Sequence, residues 1–202
     1  MKIVDITRET LSCPVYEGDP KSELERVKSI EKFDDYNLGK ITMCLHNGTH
    51  MDAPLHFIPN GKDVCEVDSN RFIGPCAVVE VPEGIITGDF VEEYFPRNVE
   101  RVLIKTNGKA FLHESAASAL AYLGYVLVGV DTPSIEPPEF DGKAHKALMM
   151  DDIVILENLD LQNIGTGKYF LVATPLKIKG AEASPVRAML LTDYIFWSGD
   201  KN

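Results

Sequence analysis

Three of the protein's five histidines fall within one short segment, from His46 to His56. Asp52 lies between them, two residues after His50. Imidazole nitrogens and carboxylate oxygens are common ligands of zinc and manganese. A single histidine is more often a hydrogen-bonded core residue than a ligand, but chance rarely places three beside an aspartate and a glycine. The segment therefore predicts a metal site centred on His46, His50 and Asp52.

The spacing of these residues indicates how the chain has to run. Gly48 and Pro54 disfavour a helix here. In an extended chain His50 and Asp52 share one face, about 7 Å apart, whereas His46 lies about 13 Å further back. A bend at Asn47-Gly48, a strong turn pair, would bring His46 within reach of the same ion. We expect a strand end that turns into a metal-binding loop.

The same segment predicts a catalytic site and not a closed structural one. Three protein ligands leave coordination positions open, which is the pattern of catalytic metal sites. A water bound there has its pKa lowered to about 7 and can attack a polarised carbonyl. His56 is close in sequence and titrates near neutrality, so we expect it to take the proton. Neither a Gly-x-Ser-x-Gly elbow nor a glycine-rich phosphate loop occurs in the sequence.

Around this cluster the chain alternates strand-like and helix-like segments. Residues 125–130 form an almost continuous apolar run ending in Asp131, as expected of a strand buried on both faces. The alternation predicts an α/β domain with a mixed sheet. Strands are expected at 2–6, 40–45, 76–81, 101–105, 125–130, 153–156, 169–173 and 186–191, and helices at 87–94, 114–123 and 142–150.

Composition limits the classes of function. The 202 residues fit one domain, which we take to span residues 1–202. The formal net charge of -11 argues against a nucleic-acid partner, which needs a basic face. No stretch approaches the roughly 20 apolar residues of a membrane span, and no secretory signal is evident, so we expect a cytoplasmic protein acting on a small molecule.

The histidine-rich segment also carries a family resemblance. HNGTHMDAPLH at 46–56 resembles the HxGTHxDxPxH signature of the cyclase family, which includes kynurenine formamidases and isatin hydrolases. The motif is long and chemically specific, and the likeness extends over most of the chain. Further segments that resemble the family are PVYEGDP at 14–20, VGVDTPS at 128–134, AHKAL at 144–148 and ILENL at 155–159.

The resemblance implies the family's swivelling β/β/α fold and a site for two divalent metals, with zinc favoured and manganese the alternative. His46, His50 and Asp52 correspond to the ligands of the first metal. Asp52 also bridges to the second, whose remaining ligands correspond to His145 and Glu157. Without the resemblance, residue spacing predicts that His145 is a solvated residue on a helix and that Glu157 is a charged residue at a strand end.

The resemblance further implies a proton-transfer role for His56 and a small-molecule substrate held against Tyr16. Family members tend to carry Trp where this chain has Tyr16, and Pro where it has Glu17. Tyrosine can still stack on an aromatic ring, but an inward-pointing Glu17 would disfavour an anionic amino acid, which weakens the kynurenine assignment. The family usually forms homo-oligomers, so a homodimer or homotetramer is expected.

Together these features predict hydrolysis of an amide-type C–N bond, in an aryl formamide such as N-formylkynurenine or in a cyclic amide. An ester or lactone presents an equivalent carbonyl and stays open as a substrate. Two other classes also stay open: a non-catalytic metal-binding protein, and a metal-dependent lyase or isomerase in which His56 takes a carbon-bound proton.

Overall fold

The computed structural model describes residues 1–137 and 141–193, and within them the chain forms thirteen strands and three α-helices. The strands are β1 (Lys2–Asp5), β2 (Glu23–Lys28), β3 (Leu38–Thr42), β4 (His50–Asp52), β5 (Ile73–Glu80), β6 (Gly84–Ile86), β7 (Arg101–Lys105), β8 (Ala110–Leu112), β9 (Leu127–Val130), β10 (Val154–Glu157), β11 (Gly167–Val172), β12 (Ala183–Pro185) and β13 (Met189–Thr192). The helices are α1 (Gly88–Tyr94), α2 (Glu114–Tyr122) and α3 (Lys143–Met150).

Nine of these strands form one mixed sheet in the order β1-β13-β11-β5-β7-β9-β10-β4-β12. The four strands β5, β7, β9 and β10 run parallel, and the strands on either side of them pair antiparallel. Parallel neighbours need a crossover connection, usually through a helix, and α1, α2 and α3 lie in the connections between these four strands. The predicted α/β architecture with a mixed sheet is therefore confirmed.

The central strands are buried on both faces because their side chains alternate between two cores. On β7, Val102 and Ile104 pack into the core beneath the three helices, whereas Leu103 packs into the core on the opposite face. Gly129 on β9 leaves room for Leu103, since a Cβ there would lie 2.6 Å from a Leu103 methyl carbon. The prediction of a strand buried on both faces is confirmed for β9.

Two short strands at one edge of this sheet, β4 and β12, were not predicted, whereas the flanking strands β1, β11 and β13 overlap predicted strands. The segment around His50 was expected to be a strand end entering a loop, whereas residues 43–49 form the loop and β4 follows it. The local pattern could not show this, because β4 exists through pairing with the distant strands β10 and β12. None of the helices in the described parts of the chain has the length and apolar character needed to cross a membrane.

Candidate metal centre

The register of β4 against β10 brings three of the expected ligands onto one face. His50 and Asp52 are two residues apart on β4, so both point to the same side of the sheet. In the antiparallel pairing Glu157, at the end of β10, lies opposite His50, and Ile155 lies opposite Asp52. Ile155 belongs to the core beneath the helices, so the three polar side chains lie on the helical face.

His46 reaches the same place through the loop before β4. The loop turns at Gly48, which adopts φ +67°, and a Cβ there would lie 3.0 Å from the Thr10 backbone. The Asn47 amide fixes the turn by donating to the Pro20 carbonyl at 3.0 Å. His46 Nδ1 thereby lies 3.1 Å from Asp52 Oδ1. The bend expected at Asn47-Gly48 is present.

His145 comes from α3, and the expectation of a solvated residue drawn from spacing alone was wrong. Ala144, His145 and Leu148 are buried because this side of α3 packs against the sheet. The His145 ring stacks on Phe57 with centroids 4.7 Å apart. Its Nε2 lies 3.2 Å from Glu157 Oε1, an oxygen that also accepts the Ile135 backbone N–H at 2.7 Å.

These five residues form two overlapping groups. Donor atoms of His46, His50 and Asp52 lie within 4.8 Å of one another, and so do those of Asp52, His145 and Glu157. Asp52 belongs to both groups. A carboxylate has two oxygens with four lone-pair directions, so one aspartate is able to serve both groups.

The charges in this centre fit a divalent cation. Asp52 is fully buried, yet neither of its carboxylate oxygens accepts a well-oriented hydrogen bond, although His46 Nδ1 and His50 Nε2 lie 3.1 and 3.5 Å from Oδ1; His50 Nε2 likewise has no hydrogen-bond partner. Buried polar atoms are normally paired, and an unpaired buried charge is costly. A metal ion between the Asp52 oxygens and the imidazole nitrogens would satisfy all of them, so the residues present fit a metal site.

The pKa values report the same excess of negative charge. Burial alone would lower the pKa of His50, but Glu157 and Asp52 raise it to about 9. Burial likewise opposes protonation of His145, whereas Glu136 and Glu157 raise its pKa to about 10. Burial favours the neutral form of Asp52, yet the surrounding histidines hold its pKa well below the ordinary value. The carboxylates thus favour positive charge at the positions of His50 and His145, and a metal cation would supply that charge.

His56 stands beside the two groups without belonging to either. It ends a single turn of 3-10 helix that Pro54 begins, and its ring lies 4.4 Å from the His46 ring, centroid to centroid. Its ring nitrogens have no hydrogen-bond partner among the described residues. Burial lowers the pKa of His56 below its ordinary value, so the neutral, proton-accepting form is favoured.

A cavity of about 230 Å³ opens onto the centre. Tyr16, His56 and Ser134 line it together with His145 and Glu157. Tyr16 and Ser134 also line a neighbouring cavity of about 520 Å³, more apolar in character, which the sequence did not indicate. The residues lining that second cavity are Pro14, Val15, Tyr16, Glu17, Phe111, Pro133, Ser134 and Glu136.

Three residues at the centre were missed by the sequence analysis: Phe57, Glu136 and Glu182. Phe57 follows the histidine-rich segment directly, and that adjacency was a usable signal. Glu182 lies 3.4 Å from His46 Nε2 but is far along the chain from it. Glu136 contacts His145 from nine residues away, but it lies outside the segments that carry the motifs. No spacing rule would have found them.

The comparisons with known proteins agree with this geometry. The Cyclase family model matches residues 4–137. A kynurenine formamidase from Bacillus thuringiensis subsp. konkukian is 38% identical over 187 residues, covering 86% of this chain and 88% of that protein. One from Bacillus anthracis is 37% identical over the same length.

Solved structures share the fold. A potential metal-dependent hydrolase with cyclase activity superposes with a TM-score of 0.81 at 31% identity, covering 94% of this chain and 96% of that chain. An isatin hydrolase bound to the product analogue thioisatinate superposes with a TM-score of 0.79 at 21% identity, covering 95% and 92%. At that identity the second likeness concerns the fold alone.

Proposed function

The chain belongs to the cyclase family of metal-dependent hydrolases, and on this premise we propose that it hydrolyses an amide-type C–N bond in a small molecule. The bond is that of an aryl formamide, such as N-formylkynurenine, or of a cyclic amide. The observation that carries the proposal is the pair of overlapping ligand groups that share the buried Asp52, whose oxygens accept no well-oriented hydrogen bond, with His56 beside them at a cavity.

The proposed site holds two divalent ions, with zinc favoured and manganese the alternative. His46, His50 and Asp52 would hold the first, and Asp52, His145 and Glu157 the second. Nitrogen and oxygen donors suit both metals. Bound ions of this kind supply Lewis acidity toward a carbonyl oxygen and lower the pKa of water.

His56 is the proposed proton-transfer residue. A neutral imidazole ring nitrogen accepts a proton from the attacking water and returns it to the departing nitrogen as the C–N bond breaks. The products are a carboxylate, formate in the case of a formamide, and an amine. The pKa of His56, lowered by burial, keeps the ring neutral before the reaction begins.

Tyr16 is the proposed substrate contact. It lines both the cavity at the centre and the apolar cavity next to it, so a substrate whose carbonyl meets the centre can extend an aryl ring past Tyr16. Glu17 lines the apolar cavity as well. Its charge favours substrates without a carboxylate at that end, because like charges repel there.

We also propose that the protein is a homodimer or homotetramer. The β2–β3 hairpin exposes apolar side chains: Leu24 and Ile41 face each other across it, and Phe33 at its tip is 99% exposed. Exposed apolar surface of this kind is typical of a protein–protein contact. Replacing Leu24 and Ile41 with lysine should shift the mass measured by light scattering to the monomer, whereas Tyr122→Lys on α2 should not. An unchanged mass would show that the hairpin is not part of the interface.

A substrate panel tests the proposed reaction. The metal-loaded enzyme is assayed for kcat/KM on N-formylkynurenine, a cyclic amide, an aryl ester and a lactone, with His56→Ala as the control for each substrate. Highest kcat/KM on an amide, lost in the control, supports the proposal. Turnover confined to the ester or lactone would move the assignment to that bond, and exchange of a carbon-bound proton without hydrolysis would make the enzyme a lyase or isomerase.

A further inference from the structure

The ring nitrogens that face away from the centre have acceptors of their own. His50 Nδ1 lies 3.0 Å from the Gly48 carbonyl oxygen, and His145 Nδ1 lies 2.5 Å from Glu136 Oε2. Carbonyl and carboxylate oxygens only accept hydrogen bonds, so each of these ring nitrogens must carry a proton. In each ring the opposite nitrogen, Nε2, faces the carboxylates of the centre, and it is the nitrogen whose lone pair a bound cation would take in place of a proton.

Glu136 is buried and held in place by several hydrogen bonds besides its contact with His145. It is 4% exposed, and its two oxygens accept the backbone N–H groups of Ala144 and His145 at 3.0 and 3.2 Å. Its own backbone N–H donates to Ser134 Oγ, which fixes the loop that carries it. The residue preceding α3, Gly142, provides no side-chain cap, so Glu136 completes the first turn of the helix from outside.

We propose that Glu136 is a positioning residue for the second metal, acting through His145. It holds the proton on Nδ1 and fixes the ring, so that Nε2 is directed at Glu157 and at the ion these two residues would share. Glu136 is not itself a ligand, because it meets the His145 ring at Nδ1, on the side that faces away from Glu157. The inference rests on the proposed two-metal site.

The fixed ring matters because the second ion has few ligands. Apart from the shared Asp52, only His145 and Glu157 among the described residues belong to that group. Carboxylates that accept the distal N–H of a ligand histidine typically contribute 10- to 100-fold in metal affinity. Loss of Glu136 should therefore act on the second ion and leave the group of His46 and His50 nearly unaffected.

Two variants separate positioning from helix capping. Glu136→Gln keeps an amide oxygen that is able to accept from the first turn of α3, but it removes the charge that faces Nδ1. Glu136→Asp keeps the charge on a side chain one methylene shorter. The matched control is Glu182→Gln, which removes the carboxylate 3.4 Å from Nε2 of His46, in the first group.

The experiment is zinc binding to the metal-free full chain, measured by competition with a chelator so that two affinities are resolved. Ring ¹⁵N spectra of the zinc-loaded protein report which nitrogen of His145 carries the proton. We expect Glu136→Gln to weaken the second zinc about 10- to 100-fold and the first by less than about threefold, with mixed protonation of the His145 ring. Glu136→Asp should recover most of the affinity, and Glu182→Gln should affect the first zinc instead.

The opposite outcomes overturn the inference. Equal weakening of both zinc ions by Glu136→Gln would reduce Glu136 to a helix cap, and so would an unchanged second affinity in a folded variant. If Glu136→Gln fails to fold, Glu136→Asp decides the question: the ¹⁵N spectrum of its His145 ring must match that of the unmodified protein. If the unmodified protein itself binds only one zinc, the two-metal proposal fails and the inference fails with it.

Discussion

Replacing His56 with alanine removes an imidazole that belongs to neither ligand group. Its ring contacts His46 and Phe57 but forms no hydrogen bond with the described residues, so its removal leaves no buried hydrogen-bonding group without a partner. We therefore expect two ions per chain in the variant, as in the unmodified protein. The half-buried ring should contribute only about 1 kcal/mol to the free energy of unfolding.

The effect on catalysis should be far larger. Loss of a positioned proton-transfer group lowers turnover by about 10²–10⁴, which corresponds to about 2.7–5.4 kcal/mol in the activation free energy. The assay is kcat on the best amide substrate, run beside metal content and urea unfolding. His113→Ala is the matched control, because His113 caps α2 by accepting the Ser115 N–H and lies outside the centre. Its kcat should be unchanged.

Two results would refute this reasoning. Loss of metal in His56→Ala would make His56 a ligand, and the division between ligand and proton-transfer histidines would be wrong. Unchanged kcat with metal retained would mean that another group or bulk solvent carries the proton.

Three further substitutions test the structure around this site. Asp52→Asn should abolish binding of both ions, because its carboxylate belongs to both groups; retention of one ion, measured by metal analysis, would contradict the sharing. Tyr16→Ala should raise KM for an aryl formamide about fivefold with little change in kcat, since stacking of one ring contributes about 1 kcal/mol, and an unchanged KM would place the ring elsewhere. Gly142→Ala should lower the free energy of unfolding by about 1–2 kcal/mol, because Gly142 adopts φ +73° and a Cβ would meet the Phe57 ring; a neutral result in urea unfolding would contradict that packing.

The first ligand group, formed by His46, His50 and Asp52, could be predicted from the sequence because it lies within one segment. The turn at Asn47-Gly48 and the two-residue spacing of His50 and Asp52 are local features, and local features are what spacing reports. The central strands were also accessible, since continuous apolar runs such as that of β9 indicate burial on both faces.

The second ligand group, formed by Asp52, His145 and Glu157, could not be predicted from residue spacing. Glu157 meets His50 through the antiparallel register of β10 on β4, across more than a hundred residues of chain, and His145 meets Glu157 through the packing of α3. Only the family resemblance joined these residues to the segment. Glu136 lay outside that resemblance's assigned residues, so its contact with His145 emerged only from the three-dimensional arrangement.

The measurement that tests the central claim most directly is metal content of the purified protein, combined with hydrolysis of N-formylkynurenine before and after a chelator. We predict two zinc or manganese ions per chain, loss of turnover on chelation, and recovery when the metal is restored. Absence of bound metal after incubation with either ion, or turnover that survives complete removal of metal, would contradict the account.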